Sequence, residues 1–150
     1  MSSFTDKALF CSLYDQVVNA GHLERITEFV DPGFVGEFGG SSTPVHGPAE
    51  FAEVIVATRS AFPDLNVAVS GGWLLHEVDS HVVGKGLSTN RLAARIDLRG
   101  TQLGPFRGTD PSGLEMTWSE GVFGRAENGL IVELVTVVGP LLPARSVVPA

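Results

Sequence analysis

The segment L-A-A-R-I-D-L-R-G-T-Q, residues 92–102, alternates strictly between two kinds of side chain. Strict alternation is typical of a β-strand with one buried and one solvated face, because successive side chains point to opposite sides of a sheet. The predicted buried face carries Leu92, Ala94, Ile96, Leu98, Gly100 and Gln102. The predicted wet face carries Arg91, Arg95, Asp97 and Arg99. The strand therefore ends with the amide of Gln102 directed inward.

Further strands surround this segment on both sides. Residues 116–125 alternate with the same period, and residues 130–138 follow them across Asn128-Gly129, a pair typical of a tight hairpin turn. Upstream, residues 66–70 and 73–83 are further strand candidates, with a bulge or break at the glycines between them. The second half of the chain is thus predicted to form an antiparallel meander.

The first sixty residues have helical periodicity instead. Apolar residues recur at three- and four-residue steps over 4–20, 22–30 and 48–62, and a short strand is predicted at 34–38. Asp31-Pro32-Gly33 is expected to end the second helix. Helices followed by a meander indicate an α+β fold, in which a curved antiparallel sheet wraps around N-terminal helices. A sheet of this shape can enclose an apolar cavity suited to a small ligand.

Length, composition and charge narrow the class of protein. The 150 residues predict one domain, with a core over residues 4–139 and a proline-containing tail over 140–150. The net charge of −7 disfavours nucleic acid and anionic membranes as partners, because both require a basic patch. The sequence shows neither a membrane span nor a signal peptide, so we expect a cytoplasmic protein. The single cysteine, Cys11, cannot form an internal disulfide.

Glu120 is the position that points most directly to chemistry. The alternation places it on the apolar face, beside Trp118 and Val122. A buried carboxylate without a partner is costly, and its environment can tune it to act as a general acid or base near neutral pH. Two alternatives remain open: a pairing with an arginine or with backbone, or a register shifted by one residue that turns Glu120 to solvent.

Three other polar side chains are candidates for the same site. Tyr14 could donate its hydroxyl to a developing oxyanion, although a tyrosine is also an ordinary core residue. Gln102 could bind a substrate carbonyl or hydroxyl, or could bond its own loop. Glu37, flanked by Phe34 and Phe38, could be a second carboxylate facing the cavity, or an exposed side chain at a strand end.

Candidate walls of the cavity are the aromatic residues Trp118, Phe34, Trp73 and Phe106. His46 is a further candidate substrate contact, although it could only cap the third helix. The segment from His76 to His81 holds four potential metal ligands, but its spacing matches no zinc motif. Phosphate-binding and serine-nucleophile motifs are also missing, so we predict no metal and no cofactor.

Three phrases of the sequence resemble one family. These are Ala61-Phe62-Pro63-Asp64-Leu65, the stretch 99–113 with its Gly-Thr-Gln-Leu-Gly-Pro-Phe-Arg-Gly phrase, and Asn128-Gly129-Leu130-Ile131-Val132-Glu133. Over residues 8–138 the chain resembles the SnoaL-like polyketide cyclases of the nuclear-transport-factor-2-like superfamily. The resemblance implies a cone-shaped cavity in a cystatin-like α+β barrel, a hydrophobic small-molecule substrate, cofactor-free catalysis, and a homodimer formed through the outer face of the sheet. Tyr14 and the Asn19-Ala20-Gly21 that follows it also resemble ketosteroid isomerase, in which the tyrosine is an oxyanion donor, and Glu37 lies within one residue of that enzyme's base.

The sequence also departs from the family pattern. Gln102 stands where these proteins often have histidine, and Thr136 stands where the aldol-type cyclases have their catalytic aspartate. Glu120, on the neighbouring strand, could replace that missing acid. An insertion near residues 76–90 could reshape the cavity mouth. We therefore expect a cyclase that closes a ring by epoxide opening or conjugate addition rather than by an aldol reaction. A non-catalytic binding module, or an epoxide hydrolase or isomerase, is the alternative.

Overall fold

The computed structural model describes residues 3–76 and 89–144. The helical elements are α1 (Ser3–Ser12), a π-helical segment (Leu13–Asn19), a 3₁₀ helix (Leu23–Glu28) and α2 (Gly47–Ala61). The strands are β1 (Val30–Glu37), β2 (Val45–His46), β3 (Asn66–His76), β4 (Thr89–Thr101), β5 (Glu115–Glu127), β6 (Leu130–Val138) and β7 (Leu142–Pro143).

The strands form one curved, unclosed sheet, which confirms the predicted α+β class. Its strand order is β2-β1-β6-β5-β4-β3, with β7 paired to β5. Strands β3 to β6 form the predicted antiparallel meander. The sheet is not wholly antiparallel, however, because β1 runs parallel to β6. The chain reaches β1 from the helices rather than through a hairpin, so nothing forces that pair to be antiparallel.

The predicted strand over residues 92–102 is confirmed in register and in facing. Leu92, Ala94, Ile96 and Leu98 are all buried, whereas Arg91, Arg95 and Arg99 on the other face are exposed. Since β5 pairs with β4 along its whole length, this register also fixes the inward face of β5.

Several predicted boundaries were wrong. The first helix is α-helical only to Ser12, and the second is a short 3₁₀ helix. Asp31-Pro32-Gly33 lies inside β1 rather than at the end of a helix. The side chain of Asp31 accepts the Gly33 N–H at 2.7 Å, and the pairing of β1 with β6 shifts its register here, which accommodates a proline that has no N–H to donate. The strands predicted at 66–70 and 73–83 form the single strand β3, whose register shifts between Ser70 and Leu74. Residues 77–83 lie outside the described part of the chain.

Asn19 connects the helical layer to the free edge of the sheet. Its side-chain amide donates to the Val67 carbonyl at 2.8 Å, and its side-chain oxygen accepts the Val67 N–H at 2.7 Å. Because β3 is an edge strand, Asn19 satisfies backbone groups that a further strand would otherwise pair. The guanidinium of Arg59 donates to the carbonyls of Val18 and Asn19 at 2.9 and 3.2 Å, which holds the same helix end from α2.

We predict that Asn19→Ala lowers the free energy of unfolding by about 1–3 kcal/mol, because it leaves two partly buried backbone groups of β3 unpaired. The matched control is Asn66→Ala, which removes an exposed amide from the same strand and should change stability by less than about 0.5 kcal/mol. Urea denaturation measures both. Equal midpoints for the two variants would contradict the assigned role of Asn19.

Candidate active site

The inward face of the sheet and the helical layer enclose a cavity of about 230 Å³. Most of its surface is apolar, with contributions from Val18, Phe51, Ile55, Leu65, Ile96 and Leu98. The polar side chains that reach it are Tyr14, Ser41, Thr58, Arg107, Glu120 and Thr136. A largely apolar cavity with a few converging polar groups is the usual form of a small-molecule site.

Glu120 faces this cavity, as the strand register predicted. It pairs with Ile96 on β4 and Val138 on β6, and only 12% of its side chain is exposed. The carboxylate is not isolated, because its Oε2 accepts hydrogen bonds from Arg107 Nη2 at 2.8 Å and from Trp118 Nε1 at 2.9 Å. The pairing with an arginine, one of the two alternatives left open by the sequence, is thus what the structure shows.

The two donors leave the other oxygen of Glu120 available. Both bind Oε2, and among the described residues no hydrogen bond to Oε1 is formed. Two fixed donors orient the carboxylate through Oε2, so that Oε1 remains as an acceptor beside the cavity. This is the geometry of a general base within reach of a bound molecule.

Arg107 is the residue of the site that the sequence analysis missed. It follows β4 in a tight turn, has a φ of +50°, and is followed by Gly108 at +75°. This left-handed turn sends its side chain back over the sheet, where the guanidinium lies 4.7 Å from the Phe106 ring and 5.8 Å from the Trp118 ring. The sequence did contain a signal for Arg107. A buried carboxylate needs a cation, and Arg107 stands between Phe106 and Gly108 in a phrase already singled out.

Tyr14 also reaches the cavity, as predicted. The π-helical segment that begins at Leu13 carries it, and its side chain is buried against Phe10 with ring centroids 5.1 Å apart. Burial raises the pKa of the phenol well above its ordinary value, and the nearby charge of Glu120 raises it further. The hydroxyl is therefore neutral at physiological pH and available as a hydrogen-bond donor.

Gln102 is buried but does not line the cavity. Its Nε2 donates to Thr109 Oγ1 at 3.2 Å, and its Oε1 accepts from Ser112 Oγ at 3.1 Å. The chain turns away after Thr101, where β4 ends, so the Gln102 amide bonds its own loop instead of a substrate. Its assignment as a catalytic residue is corrected accordingly: Gln102 holds the loop that carries Arg107.

Two other predicted site residues lie outside the cavity. Glu37 is exposed and borders a separate small pocket with Ser41, because the inward positions of β1 are Phe34 and Gly36. His46 is also exposed, and its backbone N–H donates to Glu50 Oε1 at 3.0 Å at the start of α2. Neither side chain faces the space beside Glu120.

The predicted walls are only partly correct. Phe106 lines the cavity, whereas Trp118 and Phe34 are fully packed behind it, against Phe62 and Phe51 respectively. Trp73 falls in β3, but its side chain lies outside the described part of the structure.

Thr136 lines the cavity, where its Oγ1 accepts the backbone N–H of Gly39 at 2.8 Å. Thr136 therefore holds the Phe38–Ser41 loop beside the cavity.

The described residues contain no group of three or more histidine, cysteine or acidic side chains placed to hold a metal ion. Most of the segment from His76 to His81 lies outside them. Nor does any helix in the described ranges have the length and apolar character needed to cross a membrane.

Comparison with protein families supports the resemblance drawn from the sequence. The model of the SnoaL-like polyketide cyclase family matches residues 8–139. The chain therefore belongs to the SnoaL-like polyketide cyclase family. No curated protein matches the chain significantly.

Solved structures show the same fold at low identity. A protein from Jannaschia sp. CCS1, proposed to be a SnoaL-like polyketide cyclase, has a TM-score of 0.72 and 21% identity, over 92% of this chain and 89% of its own. IdmH from Streptomyces antibioticus, proposed to be a polyketide cyclase, has a TM-score of 0.67 and 23% identity, over 89% of this chain and 91% of its own. AclR from Streptomyces galilaeus, proposed to be a hydroxylase, has a TM-score of 0.68 and 24% identity, over 92% of this chain and 81% of its own. One fold thus carries more than one proposed activity.

Proposed function

We propose that this protein is a cofactor-independent cyclase that closes a ring in a hydrophobic, polyketide-type intermediate, with Glu120 as its general base. One observation carries the proposal: an oriented carboxylate presents a free oxygen to an apolar cavity that also contains a neutral tyrosine hydroxyl. Membership of the family supports the reaction class.

The cavity would act first by shape. Apolar walls hold a flexible chain folded, so that the entropy of bringing its reacting atoms together is lost on binding rather than during reaction. Glu120 Oε1 then takes a proton from the nucleophilic group of the substrate, and the electron pair released forms the new ring bond. Tyr14 donates a hydrogen bond to a polar group of the bound molecule.

The ion pair with Arg107 favours conjugate addition over epoxide opening. Opening an epoxide requires an acid that protonates the leaving oxygen, whereas the Glu120 carboxylate is ion-paired with Arg107 and presents an acceptor oxygen to the cavity. An aldol reaction has less support, because the position of the family aspartate is occupied by Thr136, whose hydroxyl is engaged with Gly39.

We predict that Glu120→Gln lowers the rate of ring closure by roughly 10²-fold or more, because it removes the base and keeps the shape. The matched control is Glu37→Gln, which changes an exposed carboxylate and should leave turnover intact. Linear polyketide-type compounds bearing a nucleophile and a conjugated carbonyl are incubated with each variant and the products weighed by mass spectrometry. A product isomeric with the substrate that keeps the carbonyl and has lost the conjugated double bond, as read by NMR, supports conjugate addition, and normal turnover by Glu120→Gln removes Glu120 from the mechanism.

The same experiment separates the alternative functions. Addition of one water would identify a hydrolase, and loss of one water an aldol condensation. Binding that persists in Glu120→Gln, without any turnover by the unmodified protein, would identify a small-molecule binding module. The resemblance of the sequence to aldol-type cyclases implies an aspartate where this chain has Thr136, and that difference favours this last alternative.

The proposal includes a homodimer formed through the outer face of the sheet. Phe123 and Val137 are 52% and 60% exposed on that face and give it apolar surface for a partner to cover. Ion pairs surround them, Arg95 with Asp97 at 3.1 Å and Arg125 with Glu133 at 3.6 Å. An apolar centre with a polar margin of both charges suits a second copy related by a twofold axis.

We predict that light scattering gives twice the mass of the 15.8 kDa chain, and that Phe123→Glu gives the mass of one chain, because a charge cannot be buried there without a partner. Val56→Glu is the matched control, since Val56 is 48% exposed on α2, away from this face. A monomeric unmodified protein, or a dimer that survives Phe123→Glu, would contradict the proposed interface.

A further inference from the structure

The guanidinium of Arg107 has more donors than the protein uses. Its Nη2 bonds Glu120, yet among the described residues no acceptor takes the hydrogens of Nε and Nη1. Only 21% of this side chain is exposed, and Arg107 lines the cavity. A largely buried guanidinium carries five N–H donors in a fixed plane, so an unfilled edge leaves a place for an oxygen acceptor.

The surroundings of Arg107 keep that edge in place. Phe106 and Trp118 lie under the guanidinium, and Gly40 lies against its stem, where an added Cβ would stand 3.6 Å from the Arg107 Cδ and Nε. Aromatic faces stabilise the cation without accepting its N–H hydrogens in the plane. These contacts therefore hold the cation in place without using its remaining N–H donors.

Charge balance changes when Glu120 acts as a base. Before reaction, Arg107 and Glu120 neutralise each other within an apolar cavity. Once Glu120 has accepted a proton, Arg107 has lost its counter-charge, and an unpaired cation in a poorly polarisable environment attracts any new anion strongly. The site is thus electrostatically prepared for negative charge that appears on the substrate at the same moment.

We propose that Arg107 is the oxyanion-binding residue of the cavity, and that the substrate carries a carbonyl whose oxygen becomes negatively charged as Glu120 takes its proton. This inference rests on the proposed role of Glu120. In the step, the O–H or C–H bond of the nucleophile breaks, its proton moves to Glu120 Oε1, and its electron pair bonds to the conjugated carbon. The displaced π electrons come to rest on the carbonyl oxygen, as an enolate paired with Arg107.

The test uses an anion in place of the enolate and requires no turnover. Glu120→Gln has the charge of the protonated base, so this variant imitates the site immediately after proton transfer. 4-Nitrophenol is the probe, because its phenolate and phenol forms differ in absorbance. We expect Glu120→Gln to bind the phenolate in preference to the phenol, which moves the ionisation of the bound probe to lower pH.

The second variant removes the cation without leaving a buried charge unpaired. Adding Arg107→Met to Glu120→Gln should weaken phenolate binding roughly ten- to a hundredfold, the range for a charge-assisted hydrogen bond. Arg107→Lys in the same background should restore part of the loss. The matched control adds Arg99→Met, which removes an exposed arginine from the outer face and should leave binding unchanged.

Three outcomes would overturn the inference: equal phenolate affinity with and without Arg107, binding of the neutral phenol alone, or no binding of the probe to Glu120→Gln. Circular dichroism confirms that each variant is folded. Because these measurements concern binding only, they separate a failure of this inference from a failure of the cyclase proposal, which is decided by ring closure in the otherwise unmodified protein.

Discussion

A carboxylate within an apolar cavity must have partners, and this requirement organises one end of the molecule. Glu120 obtains them from Trp118 on its own strand and from Arg107 on the loop that follows β4. Arg107 reaches Glu120 because that loop folds back across the sheet. The side-chain amide of Gln102 stabilises this loop through hydrogen bonds with Thr109 and Ser112. The aromatic residues Phe62, Phe106 and Trp118 pack around the same point, with ring centroids about 5 Å apart. Structure and candidate chemistry thus depend on one buried charge.

The carboxylate of the cavity lies on β5, and the neighbouring strand β6 contributes a neutral side chain. Thr136 on β6 presents no acid to the cavity, because its hydroxyl accepts the backbone N–H of Gly39. Val122, two residues from Glu120, is the cross-strand partner of Thr136, so the two positions share one face of the sheet at neighbouring heights. A change of side chain at either position would alter the polar groups of the cavity without altering the fold.

The parts of the fold set by simple periodicity could be predicted from the sequence. The alternation over residues 92–102 predicted the inward face of β4, and the alternation over 116–125 predicted that Glu120 faces the cavity. Tyr14 was also placed correctly. The parts set by local hydrogen bonds and turn geometry could not be predicted in this way: β1 begins at Val30 because the Asp31 side chain supports an irregular start, and Gln102 faces inward yet serves its own loop. Arg107 was missed because a left-handed turn redirects it, and no periodic pattern records such a turn.

That turn has a further consequence for how the protein can change. At a φ of +50°, Arg107 occupies a conformation that glycine or asparagine adopts at less cost, by an amount on the order of 1 kcal/mol. Replacing Arg107 by glycine would therefore relieve the backbone and at the same time leave Glu120 without its cation, so the two effects on stability oppose each other.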